Sequence, residues 1–183
     1  MRPLRGRAIA ALAAATALLL AACGDEPPPD PPGNEDLVVT STVFEAGEAI
    51  PAQYTCEGEE VSPPLVWAGE PDGTAGFAVV MSDPDAPGGD FIHWVLYDIP
   101  ATESSLDEGV GEVVGQVGET SAGEAAYVGP CPPEGDEPHR YRFTVYALSR
   151  LLGIEAGSAY EDVRAELDEA AIASGTLEAE FSR

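Results

Sequence analysis

The chain has 183 residues, 33 acidic side chains, eight arginines and no lysine, which gives a formal net charge of −25. This length suits one folded domain. So acidic a chain cannot assemble the basic patch that neutralises phosphates in nucleic acid, and nucleic-acid binding is therefore excluded as a function.

The first 22 residues carry the pattern of a secretion signal. A basic start, "MRPLRGR", precedes an apolar run of 15 residues, "AIAALAAATALLLAA", which is short for a membrane span. The run ends in "LAAC", which has the form of a bacterial lipobox. We therefore predict a lipoprotein signal peptide over 1–22 and lipidation of Cys23. The alternatives are an ordinary signal peptide with a chance cysteine, or an uncleaved anchor helix.

The segment after the cysteine is a predicted tether. Residues 24–36, "GDEPPPDPPGNED", are rich in proline and acid and offer no apolar side chain to bury, which favours an extended, disordered linker. The residues before Cys23 include three arginines and no acid, so the chain from Cys23 onward carries −28. We predict a lipid-anchored protein on the extracytoplasmic face of a bacterial cell membrane, with residues 37–183 as its folded domain.

Two cysteines, Cys56 and Cys131, remain after Cys23 is set aside. Outside the cytoplasm an even number of cysteines favours a disulfide. The alternative is two buried free thiols, which pack as small apolar side chains.

Most of the domain is predicted as β-strand, because short β-branched and aromatic runs are separated by glycine and proline. The clear runs are 37–43, 76–83, 91–99 and 139–148, and the weaker ones are 49–55, 64–68 and 176–181. Residues 101–128 are acidic and glycine-rich, and they indicate a long surface excursion.

One helix is predicted near the C-terminus. Ser158 and Glu161 form a capping-box pattern, an apolar stripe follows at helical spacing, and Gly175 stands just past the predicted end. Many strands with one late helix predict a mainly β protein, an antiparallel β-sandwich with one C-terminal helix.

Both histidines of the chain lie inside predicted strands, and strand alternation assigns each of them a face. Alternation places the side chain of His93 on the same face of its strand as those of Phe91, Val95 and Tyr97. It places His139 on the apolar face of its strand, together with the side chains of Tyr141, Phe143, Val145 and Ala147.

An aspartate is predicted to join them. Asp83 ends its strand on the face of Phe77, Val79 and Met81, and Asp85 follows two residues later. A buried polar group is costly unless it is paired, so we expect aspartate and histidine to meet around a small cavity. The alternative is that a backbone carbonyl satisfies each histidine locally.

A second stretch, "YVGPCPPEGDEPHRYRF", places a proline-rich loop directly before the strand of His139. Gly129 and Pro130 begin that loop, and prolines make it a rigid wall. Its few free backbone N–H groups are predicted to be able to point at an anion.

The two stretches "SDPDAP…HWVLYDIP" and "GPCPPEG…HRYRFTVYAL", with "YTCEGEEVSPPLVW" before them, resemble the phosphatidylethanolamine-binding protein family, in its bacterial Raf-kinase-inhibitor-like branch. The resemblance runs from about Leu37 to Phe181. It implies an antiparallel β-sandwich with a small pocket for phosphate-like or carboxylate-like groups, including phospholipid headgroups. The positions that match this pocket are Asp83, Asp85, His93, Gly129, Pro130, His139 and Tyr141.

The resemblance also implies a cis peptide bond between Ala86 and Pro87. The chain departs from the branch at two positions, where Asp136 replaces a histidine and Val128 replaces a glycine. The first departure adds negative charge at the rim of the pocket.

These observations predict a binding protein for a small anionic or phosphate-bearing ligand, with no catalytic residue, no metal and no cofactor. One alternative is a protein-interaction or inhibitor module of the cell envelope, with an unidentified protein partner and a vestigial pocket. Another is a metal-dependent hydrolase built from the two aspartates and two histidines, although their spacing matches no metal-binding motif.

Overall fold

A computed structural model of the protein describes residues 37–110 and 114–183. The predicted signal peptide, Cys23 and the tether lie outside the described residues. The described chain forms eight strands, one α-helix and a short 3₁₀ turn at Ala52–Tyr54. The strands and helix are β1 (Val38–Thr40), β2 (Leu65–Ala68), β3 (Gly76–Asp83), β4 (Phe91–Pro100), β5 (Ser105–Leu106), β6 (Gln116–Val117), β7 (His139–Leu148), α1 (Tyr160–Ala170) and β8 (Ala171–Phe181).

Two antiparallel sheets form the body of the domain. The smaller has the order β1–β2–β5 and the larger has the order β6–β4–β3–β7–β8. Their facing side chains make one core, in which Trp67 of β2 lies 5.2 Å from Phe77 of β3 between ring centroids. Each large apolar side chain buried there contributes about 1.5–3 kcal/mol to folding. The predicted β-sandwich with one C-terminal helix is confirmed.

The helix covers the opposite face of the larger sheet. Val163 and Leu167 of α1 are fully buried against Val80, Val95 and Tyr97. The predicted apolar stripe of the helix is therefore confirmed. Because both faces of β3 and β4 are covered, these strands are apolar at nearly every position rather than at alternate ones.

The helix begins differently from the prediction. Its N-cap is Ala159, no side chain caps it, and the hydroxyl of Ser158 donates instead to the carbonyl of Glu155 at 2.7 Å. The capping box was therefore wrong, because the turn that precedes the helix already uses this serine. No described helix is long and apolar enough to cross a bilayer.

The role predicted for Gly175 was also wrong. The helix ends at Ala170 and leads straight into β8, which contains Gly175 opposite Val145. A Cβ atom at this glycine would lie 2.0 Å from the carbonyl oxygen of Leu37. Gly175 is therefore required by the close approach of the segment before β1, not by the end of a helix.

Two further strand predictions change. The run 49–55 contains the 3₁₀ turn instead of a strand. Ala49 forms an isolated bridge with Glu180 of β8, and the pairing stops where Pro51, which has no N–H to donate, precedes the turn. The run 176–181 extends back to Ala171. The excursion 101–128 contributes two short strands, β5 and β6, one to each sheet.

The close approach at Gly175 predicts a stability defect. Gly175→Ala should lower the free energy of unfolding by about 1–3 kcal/mol, because the added methyl group must push the backbone of Leu37 away from β8. Urea denaturation followed by tryptophan fluorescence measures the change.

Gly88→Ala is the matched control, because a Cβ atom at Gly88 would meet nothing within 4 Å. An equal stability for the two variants would contradict this account of β8.

Candidate functional site

A β-bulge in β4 determines where His93 points. Met81 of β3 pairs with Trp94, and the next residue, Ser82, pairs with Ile92. His93 is thus one extra residue in β4 with no partner in β3. Such a bulge reverses the face on which the extra side chain lies relative to simple alternation.

The bulge corrects part of the predicted grouping of His93, because Phe91 is its neighbour as predicted whereas Val95 and Tyr97 are not. Val95 and Tyr97, which alternation groups with His93, face the helix. The His93 ring instead lies 4.7 Å from the ring of Phe91 and 5.3 Å from the ring of Tyr141, between centroids. His93 therefore shares a region with β7 residues although strict alternation would have separated them.

Asp83 and His139 form a buried pair at adjacent strand ends. Nδ1 of His139 donates to Oδ2 of Asp83 at 2.8 Å, and the two residues are only 6% and 3% exposed. The other oxygen, Oδ1, accepts the N–H of Asp85 at 2.9 Å. Both carboxylate oxygens thus have partners, as a buried carboxylate requires, and Nε2 of His139 is left without one among the described residues.

His93 is held by the backbone of Val128. Nδ1 of His93 donates to the Val128 carbonyl at 2.8 Å, and the Val128 N–H donates to the His93 carbonyl at 2.9 Å. Nδ1 therefore carries a proton, and Nε2 again has no described partner. Burial lowers the pKa of His93 below its usual value of 6.5, and the nearby His139 adds to this, while the Val128 bond and Asp83 oppose it.

Tyr141 lies between the two histidines. Its ring centroid is 5.3 Å from that of His93 and 6.5 Å from that of His139. The side chain is fully buried, and its hydroxyl lies near the Asp83 carboxylate but forms no hydrogen bond of regular geometry with it or with another described residue. Burial, and then the charge of Asp83, raise the pKa of Tyr141 above its usual value, so the hydroxyl stays protonated as a donor.

The side chain of Asp85 does not join the two histidines and Tyr141. Its Oδ2 accepts the backbone N–H of Arg140 at 3.0 Å and Nε at 2.8 Å, and its Oδ1 accepts Nη2 at 2.7 Å. The hydrogen bonds from Arg140 hold the pKa of Asp85 at about 2. Asp85 therefore ties the turn after β3 to the start of β7, next to His139, and does not offer a free carboxylate to the interior.

Hydrogen bonds connect the wall of Gly129 and Pro130 to the loop that contains Cys56 and Glu60. The Gly129 N–H donates to Oε1 of Glu60 at 3.1 Å, and the Pro130 carbonyl accepts the N–H of Cys56 at 3.2 Å. One of the few backbone N–H groups of this loop, that of Gly129, is therefore occupied by a carboxylate of the protein and is not available to an anion. A disulfide joins Cys56 to Cys131 with 5.5 Å between Cα atoms, which confirms the predicted bridge.

The turn after Asp85 lacks the expected cis bond. No peptide bond of the described residues is cis, so Ala86–Pro87 is trans here and Pro87 does not shape the turn in the predicted way. The trans form is the intrinsically preferred one. The turn closes instead through the Asp83–Asp85 bond and through the Gly89 N–H, which donates to the Ala86 carbonyl at 3.0 Å.

A separate cavity of about 400 Å³ lies at the start of α1, away from the histidines. Glu119, Thr120 and Ser121 line one side of it, and Tyr160 and Glu161 line the other. It contains none of the predicted site residues, and its two carboxylates disfavour an anionic ligand. Residues 37–110 and 114–183 also contain no group of three or more side chains placed to hold a metal ion.

Sequence reasoning missed Glu60 and the carbonyl of Val128. Glu60 lies in the stretch "CEGEE" of the matched segment, but nothing in that pattern indicates that it turns toward Gly129. Val128 was noted only as a departure from the family. Its contribution is a backbone carbonyl, which any residue at this position supplies, so the departure leaves the contact with His93 intact.

Comparisons with known proteins bear on the family and the fold of the chain. A family model described as phosphatidylethanolamine-binding protein matches residues 40–182. A UPF0098 protein of Aquifex aeolicus is 44% identical over 141 residues, which are 74% of this chain and 82% of that protein.

Two further relatives extend the comparison. LppC of Mycobacterium tuberculosis, whose name proposes a lipoprotein, is 40% identical over 68% of this chain and 61% of its own length. The crystal structure of Escherichia coli YbcL, described as a new member of the mammalian PEBP family, superposes with a TM-score of 0.76 at 33% identity. That match covers 81% of this chain and 99% of YbcL.

Proposed function

The chain belongs to the phosphatidylethanolamine-binding protein family, and from that premise we propose that it binds a small phosphate-bearing or other anionic ligand between its two histidines. The observation that carries the proposal is the convergence of three polar groups that lack protein partners. These groups are Nε2 of His93, Nε2 of His139 and the hydroxyl of Tyr141, around one buried aromatic ring.

The three groups suit a phosphate. Because Nδ1–H of His139 is used by Asp83, its Nε2 is the ring atom left for the ligand. In the imidazolium form Nε2–H donates to an anionic oxygen, and Tyr141 donates its hydroxyl proton. Neutral His93, whose Nδ1 proton is held by Val128, presents a lone pair at Nε2 to a phosphate hydroxyl or an ammonium group. The site thus recognises a group that carries both acceptors and a donor.

The same geometry makes binding the proposed activity, rather than catalysis. The buried carboxylate of Asp83 is fully occupied, and Asp85 is paired with Arg140, so neither is a free base. The second candidate, an envelope interaction module with a vestigial pocket, draws on the low exposure of the histidines, 6% each. The ligand titration below separates the two.

We further propose that the domain is anchored to the outer face of the cell membrane through Cys23. The support is the "LAAC" pattern, the lipoprotein name of LppC, and the disulfide, which forms and persists in oxidising compartments. Residues 24–36 then form a tether of about 40 Å when fully extended, at ~3.1 Å per residue. A domain so placed meets phospholipid headgroups or soluble phosphate compounds in the envelope.

The histidine site predicts a defined loss of binding. His93→Asn keeps an amide donor for the Val128 carbonyl and removes Nε2, and His139→Asn does the same at Asp83. Each variant should lower the affinity for inorganic phosphate by about tenfold or more, since one charge-assisted hydrogen bond is lost. Isothermal titration calorimetry with phosphate and with phosphoethanolamine measures it.

Arg142→Gln is the control, because Arg142 pairs with Glu178 on the other face of β7. Wild-type affinity in both histidine variants, or no binding by the wild-type protein, would contradict the pocket and favour the interaction module.

The pH dependence follows from the lowered pKa of His93. Burial keeps this ring neutral near pH 7, where Nε2 accepts a hydrogen bond. Below its lowered pKa the ring is protonated at Nε2 and donates to an anionic oxygen, so a bound anion raises the pKa of His93 and, by linkage, binds more tightly as pH falls through that pKa. NMR titration of the two histidine rings with and without sulfate, whose charge is constant over this range, measures the shift. An unchanged His93 pKa at saturating sulfate would contradict the proposal.

The anchor makes a separate prediction. Cys23→Ser should abolish lipid attachment and release the protein into the soluble envelope fraction, because serine cannot form the thioether. Metabolic labelling with an alkyne fatty acid followed by fractionation measures it. Equal labelling of the wild-type and Cys23→Ser proteins would contradict lipidation at this residue.

A further inference from the structure

Arg183 stands apart from the other arginines of the folded domain. Five arginines follow Cys23 in the chain. Four of them are paired with carboxylates at 2.7–3.0 Å, namely Arg140 with Asp85, Arg142 with Glu178, Arg150 with Glu166 and Arg164 with Asp168. Arg183 has no ion pair within residues 37–110 and 114–183. Among these five, it is therefore the guanidinium that forms no ion pair with a described carboxylate side chain.

The structure holds Arg183 beside the histidine site. Phe181, the last residue of β8, pairs with His139 at the start of β7. Two residues later, Nε of Arg183 donates to the carbonyl of Pro132 at 2.7 Å. Its own carbonyl accepts the N–H of Gly135 at 3.1 Å. These two bonds fix Arg183 between the strand end that carries His139 and the loop that continues the wall of Gly129 and Pro130.

The charge of Arg183 reaches the interior of the site. Its charge lowers the pKa of Tyr141, against the larger effects of burial and of Asp83 and Asp85. The hydrogen bond to Pro132 uses Nε, so both Nη groups have no described partner. A guanidinium presents such N–H groups in a planar fork that matches two oxygens of a phosphate.

We propose that Arg183 is a specificity-determining residue of the anion site and supplies the positive charge that the ligand meets at its entrance. This inference depends on the proposed function, since it concerns the same ligand. Without Arg183, an anion would approach a site that contains the carboxylates of Asp83 and Glu60, since Asp85 is already paired with Arg140. The role of Arg183 is to offset these carboxylates and to select anions over neutral ligands of the same size.

The test compares Arg183→Gln, Arg183→Lys and the control Arg150→Gln in the otherwise intact protein. Arg150 is likewise exposed, but its partners Glu166 and Glu169 lie on α1. Its replacement by glutamine therefore removes the same positive charge from the protein without removing it from beside the histidines. Phosphate affinity is measured by calorimetry at low and at high sodium chloride. Arg183→Gln should weaken binding about tenfold at low salt and flatten the salt dependence, because a screened attraction is removed.

The other two variants separate the effect of the charge from the effect of the guanidinium geometry and of the position. Arg183→Lys should retain part of the salt dependence but lose affinity, because an ammonium group keeps the charge without the fork. Arg150→Gln should match the wild-type protein. Wild-type affinity and salt dependence in Arg183→Gln would overturn the role of Arg183.

The outcome for Arg183 is separable from the outcome for the pocket. If His93→Asn loses phosphate binding and Arg183→Gln does not, the pocket stands and the inference on Arg183 is overturned. If the wild-type protein does not bind phosphate or phosphoethanolamine, both are overturned. Unchanged His93 and His139 ring resonances in ligand-free Arg183→Gln show that a loss of affinity is not a loss of fold.

Discussion

The buried hydrogen bond between Asp83 and His139 is the constraint around which the rest of the site is arranged. A carboxylate that is 3% exposed must have its oxygens satisfied, because an isolated buried charge is far too costly. Asp83 meets this need with one bond to the next strand and one to the turn that follows it. The ends of β3 and β7 are thereby joined, and the orientation and tautomer of His139 are determined.

Each of the other parts fixes one of the side chains around this pair. The bulge in β4 turns His93 toward β7, and the backbone of Val128 fixes its ring. The disulfide and the Glu60 contact hold the wall of Gly129 against the loop of residues 55–60. The outer salt bridge of Asp85 with Arg140 supports the start of β7 from outside. The protein thus satisfies most of the polar groups of these residues, and Nε2 of each histidine has no described partner.

Much of the framework was predictable from the sequence, because it follows from local patterns. Strands β3 and β7 have the predicted bounds, the helix buries the predicted stripe, and the presence of His139 and Asp83 on one face followed from alternation. The face of His93 was not predictable in this way. A bulge depends on the register between two strands, and no residue of β4 indicates its presence in the sequence.

The remaining errors have the same origin in long-range contacts. Gly175 has the same sequence signature at the end of a helix as at a close backbone approach, and only the position of Leu37 distinguishes the two. The partners of Asp85 and of the Gly129 N–H lie 55 and 69 residues away along the chain. Sequence reasoning therefore identified the residues of the site better than it assigned their hydrogen bonds.

The most direct test of the site is a crystal structure of the protein grown with inorganic phosphate. The account predicts one phosphate with its oxygens within hydrogen-bond distance of Nε2 of His93 and Nε2 of His139, while Nδ1 of each ring keeps its bond to Val128 or Asp83. A structure at saturating phosphate in which both Nε2 atoms contact only protein or water would contradict it.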